Sequence, residues 1–277
     1  MTRSDTSAHQ PLPGRRLGLM AALAIALALL GACATPAGGG AAQEEILTES
    51  DEPAARKRAR IRLELAVGYY EEGRTEIALD EVKQALNSDA SFGPAYNLRG
   101  LIYMRMNEPR QAEESFRRAL SLEPRNGDVL HNFGWFACQQ GRSEESFGAF
   151  RRALEIPSYG ARAKTYMTLG LCQARAGRLE DAEHSLARSY ELDAGNPVTG
   201  FNLANLLMRR GELTRAQFYI RRLNNGEYAN AETLWLGIRV EQALGDKVAM
   251  SQLAEQLRKR YPASRELAAY EKGAFNE

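Results

Sequence analysis

Between residues 56 and 264 the apolar residues recur every three or four positions, in short runs broken by small or polar residues. That spacing predicts a succession of short amphipathic helices rather than strands, whose apolar positions would alternate. The stretch from His131 to Pro157 shows the unit. Gly134 lies seven residues before Gly141, and Ser146, Phe150 and Ala153 follow at helical spacing. Two helices joined by a Gly-containing turn give this pattern. The turn residue Gly141 recurs as Gly73, Asn107, Gly177, Gly211 and Gly245, with steps of 34, 34, 36, 34 and 34 along the chain.

A period of 34 residues, with a small residue eight places in and Ala near places twenty and twenty-seven, is the tetratricopeptide signature. The predicted fold is therefore all-α: a right-handed superhelical solenoid of six helix-turn-helix repeats, 59–92, 93–126, 127–162, 163–196, 197–230 and 231–264. Residues 265–277 then form a C-terminal cap or tail. Repeat two is the most regular copy, with Tyr96, Gly100, Tyr103, Ala112, Phe116 and Ala119 in frame and Pro124 as its stop. Repeat three carries Ser146 where Ala is usual. Its exit, Pro157-Ser158-Tyr159-Gly160, contains the two residues that lengthen one step to 36, and solenoid insertions go to loops, often beside a binding surface. Repeat five runs into Asn224-Asn225-Gly226, which predicts an early end to its second helix. Repeat six is the least regular, with Ile238 and Met250 in place of small residues, as expected of a terminal repeat that faces solvent on one side.

The N-terminus reads differently. Arg15 and Arg16 precede an unbroken apolar run from Leu17 to Leu30, fourteen residues long. That is short for a bilayer span and suited to a signal-peptide h-region. It ends in Leu30-Gly31-Ala32-Cys33, which resembles a bacterial lipobox. The expectation is a signal peptide over 1–32, cleavage before Cys33 and lipidation of its thiol, stable anchoring requiring two or more acyl chains. Ala34 follows the cysteine where Asp would be the familiar inner-membrane retention signal, so the expected location is the outer membrane, on its periplasmic face. Residues 33–55, rich in Ala, Gly and Glu, read as the lipidated Cys and a flexible tether with a reach of about 25 Å. The basic residues between Arg56 and Arg62 either face anionic headgroups beside that tether or simply solvate a helix face.

Composition alters little. The chain is 44% apolar and 26% charged, with a net charge of +1. Residues 1–32 hold three Arg and one Asp, so their removal takes 36 basic and 35 acidic residues to 33 and 34. No clustered excess of Lys and Arg marks a nucleic-acid partner. His131 and His184 are isolated, and the sequence has neither a phosphate loop nor a Gly-x-Ser-x-Gly turn. No catalytic residue, metal or cofactor is expected, and the chain does not read as an enzyme.

The expected working surface is the concave one, made by first helices, at places two, five, nine and twelve of each repeat. It takes Leu63, Val67, Tyr70, Asn97, Leu101, Met104, His131, Trp135, Met167, Leu171 and Phe201, with Asn205, Met208 and Trp235 farther along. An exposed apolar stripe of this kind marks a protein partner, and Met and Trp suit a docked peptide or helix. It lacks the Lys and Asn pattern of tetratricopeptide domains that clamp a chaperone's C-terminal carboxylate. Cys138 and Cys172 fall on consecutive first helices, which pack side by side. They are candidates for a disulfide, which persists in an exported protein, or for two buried thiols acting as small apolar residues.

Residues 59–264 resemble the PilW family (PilF in some species) of type IV pilus biogenesis lipoproteins. The likeness rests on Asn132-Phe133-Gly134-Trp135-Phe136-Ala137-Cys138, the Pro157-Ser158-Tyr159 exit, Leu169-Gly170-Leu171-Cys172 and the closing Arg260-Tyr261-Pro262-Ala263-Ser264. Ala137 departs from it, since the family tends to have Leu there. The resemblance implies a pilotin that binds the PilQ-like pilus secretin and carries it to the outer membrane for multimerisation; the chain itself is expected to be a monomer. It also implies that the N-terminal repeats bind, which singles out Leu63, Val67, Tyr70, Leu101 and Met104. The sister readings are scaffolds of a tight-adherence pilus, of outer-membrane assembly or of peptidoglycan synthase regulation.

Overall fold

The computed structural model describes residues 51–275, and the described residues hold thirteen α-helices and no strand. The expected signal segment, Cys33 and most of the expected tether lie outside the described residues. The helices pair in chain order. They are α1 (Ala54–Glu71) with α2 (Thr75–Ser88), α3 (Gly93–Arg105) with α4 (Pro109–Leu122), α5 (Gly127–Gln139) with α6 (Ser143–Leu154), α7 (Arg162–Arg175) with α8 (Leu179–Leu192), α9 (Pro197–Arg209) with α10 (Leu213–Asn224), and α11 (Ala231–Leu244) with α12 (Lys247–Arg260). A short α13 (Arg265–Glu271) closes the array. The result is a tetratricopeptide solenoid.

Two boundaries differ from those read in the sequence or sharpen them. Helix α1 begins at Ala54, within the stretch expected as tether, and its 18 residues exceed the 13 or 14 of the other first helices. Helix α10 ends at Asn224, after 12 residues, where the Asn-Asn-Gly sequence no longer favours helix.

Every intra-repeat turn depends on one left-handed residue. Gly73, Gly141, Gly177, Gly211 and Gly245 have φ between 72° and 79°, and Asn107 takes φ 59° in the same place. Gly adopts that region without a Cβ clash, and Asn tolerates it better than most residues. The turn lets the backbone satisfy the end of the first helix, as where the amides of Gly141 and Arg142 donate to the carbonyls of Cys138 and Ala137.

Within the first five pairs the helices close over a small residue on the first and a large one on the second. Ala66 and Val82, Gly134 and Phe150, Gly170 and Leu186, and Ala204 and Ile220 are such partners, and the larger residue is at most 1% exposed. Repeat six reverses the assignment. There the bulk comes from Ile238 on α11 and the space from Ala254 on α12, both buried. The irregular Ile238 is therefore a volume-conserving exchange, of the sort cores accept.

The backbone of each first helix approaches that of the first helix of the next repeat, from α1–α3 through to α9–α11, whereas successive second helices stand farther apart and meet only through side chains, such as Arg117 with Glu145 and Tyr190 with Tyr219. Elements whose backbones stay closest lie on the inside of a curve. The first helices therefore line the concave face, and this geometry decides which residues a partner can reach.

A candidate protein-binding groove on the concave face

Helices α1, α3 and α5 open a groove of about 490 Å³ lined by Tyr70, Leu101, Met104, Trp135, Phe136 and Gln139, with Arg105, Glu108 and Gln140 at its edge. Tyr70 and Met104, like Leu101 and Trp135, sit at matching heights on successive first helices, because the 34-residue step returns each repeat to the same face. The floor is held by what lies beneath it. Leu101 and Met104 pack against Phe116, Phe133 and Phe136, and Phe116 and Phe136 rings stand 5.6 Å apart. Trp135 rests on a cluster of Phe147, Phe150, Leu169, Cys138 and Cys172.

Cys138 and Cys172 form a disulfide across α5 and α7, with Cα atoms 5.9 Å apart. The bond lies behind Trp135 and ties the groove wall to the fourth repeat.

His131 does not belong to the open surface. It is 5% exposed, enclosed by the Phe150 ring at 5.6 Å and by Thr165 of α7, whose Oγ1 lies 2.8 Å from its Nδ1. The same place in neighbouring repeats is half open, but here α6 and α7 close over it. Burial, with Lys164 nearby, pushes the imidazole pKa down to about 4, so it remains neutral at physiological pH. The Tyr159 hydroxyl lies 2.8 Å from the same Thr165 Oγ1. Tyr159 comes from the two-residue insertion, yet it is buried, with its ring where a Cβ on Gly127 would fall. Burial raises its pKa. The insertion thus plugs the joint between repeats three and four instead of widening a binding loop.

The remaining candidates do not share one surface. Phe201, Asn205 and Trp235 line a second groove of about 490 Å³ with Arg239, Arg265 and Glu266. Asn97 accepts a hydrogen bond of 3.1 Å from Asn132 and joins repeat two to repeat three. Leu63 packs into the first repeat, Met167 and Met208 pack into the cluster of repeats four and five, and Leu171 is half-buried outside either groove. Val67 stays 38% exposed on α1.

The sequence reading missed the tail. After α13, Gly273 takes φ 68° and turns the chain so that the Phe275 ring stacks on Trp235, 5.6 Å between centroids, with the Tyr270 ring edge-on. Arg239 Nε donates to the Phe275 carbonyl at 2.9 Å. Trp235 thus has the chain's own tail stacked on it, while it stays half-buried and still lines the second groove. No periodicity carries this, since it joins a residue outside the repeats to one inside them.

Comparison with known proteins adds the following. The tetratricopeptide repeat family model matches residues 93–126. The type IV pilus assembly protein PilF of Pseudomonas aeruginosa is 29% identical over 209 residues, 76% of this chain and 83% of that protein. The solved structure of Pseudomonas aeruginosa PilF superposes with a TM-score of 0.71 at 28% identity, covering 80% of this chain and all of that one. The crystal structure of PilW, described as a widely conserved type IV pilus biogenesis factor, gives a TM-score of 0.70 at 31% identity, covering 76% of this chain and 97% of the other.

Proposed function

The chain belongs to the PilF/PilW family of tetratricopeptide proteins of type IV pilus biogenesis, and from that premise we propose that it works as a pilotin. In this reading Cys33 carries the lipid, the anchor lies in the outer membrane facing the periplasm, and the solenoid holds the pilus secretin while that subunit is delivered and multimerises. The observation that carries the binding step is the groove of α1, α3 and α5. Its apolar floor of Leu101, Met104 and Trp135 is open in the repeats nearest the expected anchor. By contrast, the Trp235 of the C-terminal groove already has the Phe275 ring stacked on it.

The division of labour is physical. Acyl chains supply location, and each contributes in proportion to its buried methylenes. A stiff solenoid presents its groove without the ordering penalty that a flexible loop would suffer on binding. No helix among the described residues is long and apolar enough to cross a membrane, so in this reading attachment rests on Cys33.

The test is co-isolation of secretin with the full chain from detergent-solubilised envelopes. Met104→Glu places an unpaired charge on a half-buried groove position and is expected to remove secretin from the eluate while circular dichroism stays helical. Undiminished secretin recovery with a folded variant would mean that this groove is not the holding site.

A further inference from the structure

Two arginines share an arrangement at the N-terminal groove, Arg105 at its edge and Arg175 on α7, outside the lining residues but beside Trp135. The Arg105 guanidinium lies over the Tyr70 ring, 3.5 Å from its centroid, and donates to the Tyr70 carbonyl. The Arg175 guanidinium lies 6.0 Å from the Trp135 centroid and donates to Gln139 Oε1 at 3.3 Å. Both side chains are exposed, and neither forms an ion pair among the described residues. Outer-helix arginines such as Arg117, Arg142 and Arg215 each bind one or more glutamates. Stacking on an aromatic face orients a guanidinium without using its in-plane donors, of which there are five. Each of the two arginines has thus committed one donor and holds the rest toward open space. Among the residues lining this groove Glu108 matches Arg105 in charge, and Arg175 adds a positive charge beside Trp135.

The concave face already shows what kind of chain it accepts. At the other end, Phe275 lies on Trp235 and an arginine, Arg239, takes its carbonyl. An aromatic anchor on a groove tryptophan, beside an arginine bond, is therefore an arrangement this surface makes.

We infer that the N-terminal groove recognises an extended peptide segment in which an aromatic or large aliphatic residue is flanked by carboxylates. The apolar side chain sits on Leu101, Met104 and Trp135, and the carboxylates reach Arg105 and Arg175. Charge-assisted pairs of this geometry are roughly twice as strong as neutral hydrogen bonds. This inference rests on the pilotin reading for the source of the segment, a stretch of the secretin, but its chemistry can be tested apart from that source.

The probes are three fluorescein-labelled peptides with the same Phe and Leu, flanked by Asp and Glu in the first, Asn and Gln in the second and Lys in the third. They are titrated by fluorescence anisotropy against the full chain in detergent at low salt. The acidic peptide is expected to bind about tenfold more tightly than the amide one, with the Lys peptide weakest. Arg175→Glu and Arg105→Glu, both at exposed positions, should each remove most of that preference, and the double reversal should favour the Lys peptide. Equal binding of acidic and amide peptides, no binding of any peptide, or a preference untouched by either substitution would overturn the inference. Secretin co-isolation run in parallel separates the two claims. If secretin is retained while the peptides fail to discriminate, only the carboxylate rule is lost; if both fail, the holding function falls too.

Discussion

A Cβ added to Gly100 would lie 2.6 Å from Cε1 of Phe116, closer than a Cβ approaches a non-bonded carbon. The ring fills the space that the glycine leaves, and Phe116 is fully buried with the Phe133 and Phe136 rings around it. Gly100→Ala is expected to destabilise the fold by about 1–3 kcal/mol, because the ring has nowhere to retreat. Gly68 gives the opposite case. It lies inside α1 with nothing within 4 Å of an added Cβ, so Gly68→Ala should stabilise by about 0.5–1 kcal/mol through helix propensity alone. Urea unfolding midpoints of the two variants should move in opposite directions. A shift of the same sign for both would break the pairing account.

The Cys138–Cys172 disulfide closes a loop with a sequence separation of 34. Chain-entropy estimates for a loop of that size give about 4 kcal/mol, less whatever residual structure the reduced unfolded chain keeps. Adding reductant to the purified protein should lower the urea midpoint accordingly and change the emission of Trp135, which packs against the bonded pair. If both thiols label with an alkylating reagent before any reductant is added, the bond is absent in the protein as made.

His131 gives the fold a pH dependence whose sign follows from its burial. Its folded pKa of about 4 lies below the unfolded value of 6.5. Between those limits the unfolded chain binds the proton and the folded one does not. Stability therefore falls as the pH drops from 6.5 towards 4, by roughly 3 kcal/mol in all. Asp89, held low by the Ser91 hydroxyl and by Arg56, titrates below that window. A His131→Gln variant should lose most of the slope between pH 6.5 and 4.5. An unchanged slope in that variant would place the titration on another group.

Much of the fold was legible because few residues satisfy its most demanding positions. A left-handed turn residue every 34 places restricts the choice to Gly or Asn, and the sequence shows that choice at all six turns. The groove was legible only in part. Tyr70, Leu101, Met104 and Trp135 do converge. His131 occupies the same place in its repeat as Asn97 in the one before, and nothing local distinguishes an open position from one closed by Thr165 and Phe150. Tyr159 was read as part of a surface insertion, since burial of an inserted ring depends on the facing Gly127, 32 positions away in the chain. Ile238 stands where a small residue is usual, and only its buried partner Ala254, small in its turn, accounts for it. Stacking of Phe275 on Trp235 involves a tail without any repeat pattern.

The central claim is that a lipid on Cys33 carries a protein that delivers the secretin. The direct measurement is the state and location of the secretin in cells whose only copy of this chain is Cys33→Ser, read by envelope fractionation and unheated gels. The expected result is loss of secretin multimers, or their appearance in the inner membrane, with the variant still made and folded. Multimers unchanged in amount and still in the outer membrane would contradict the claim.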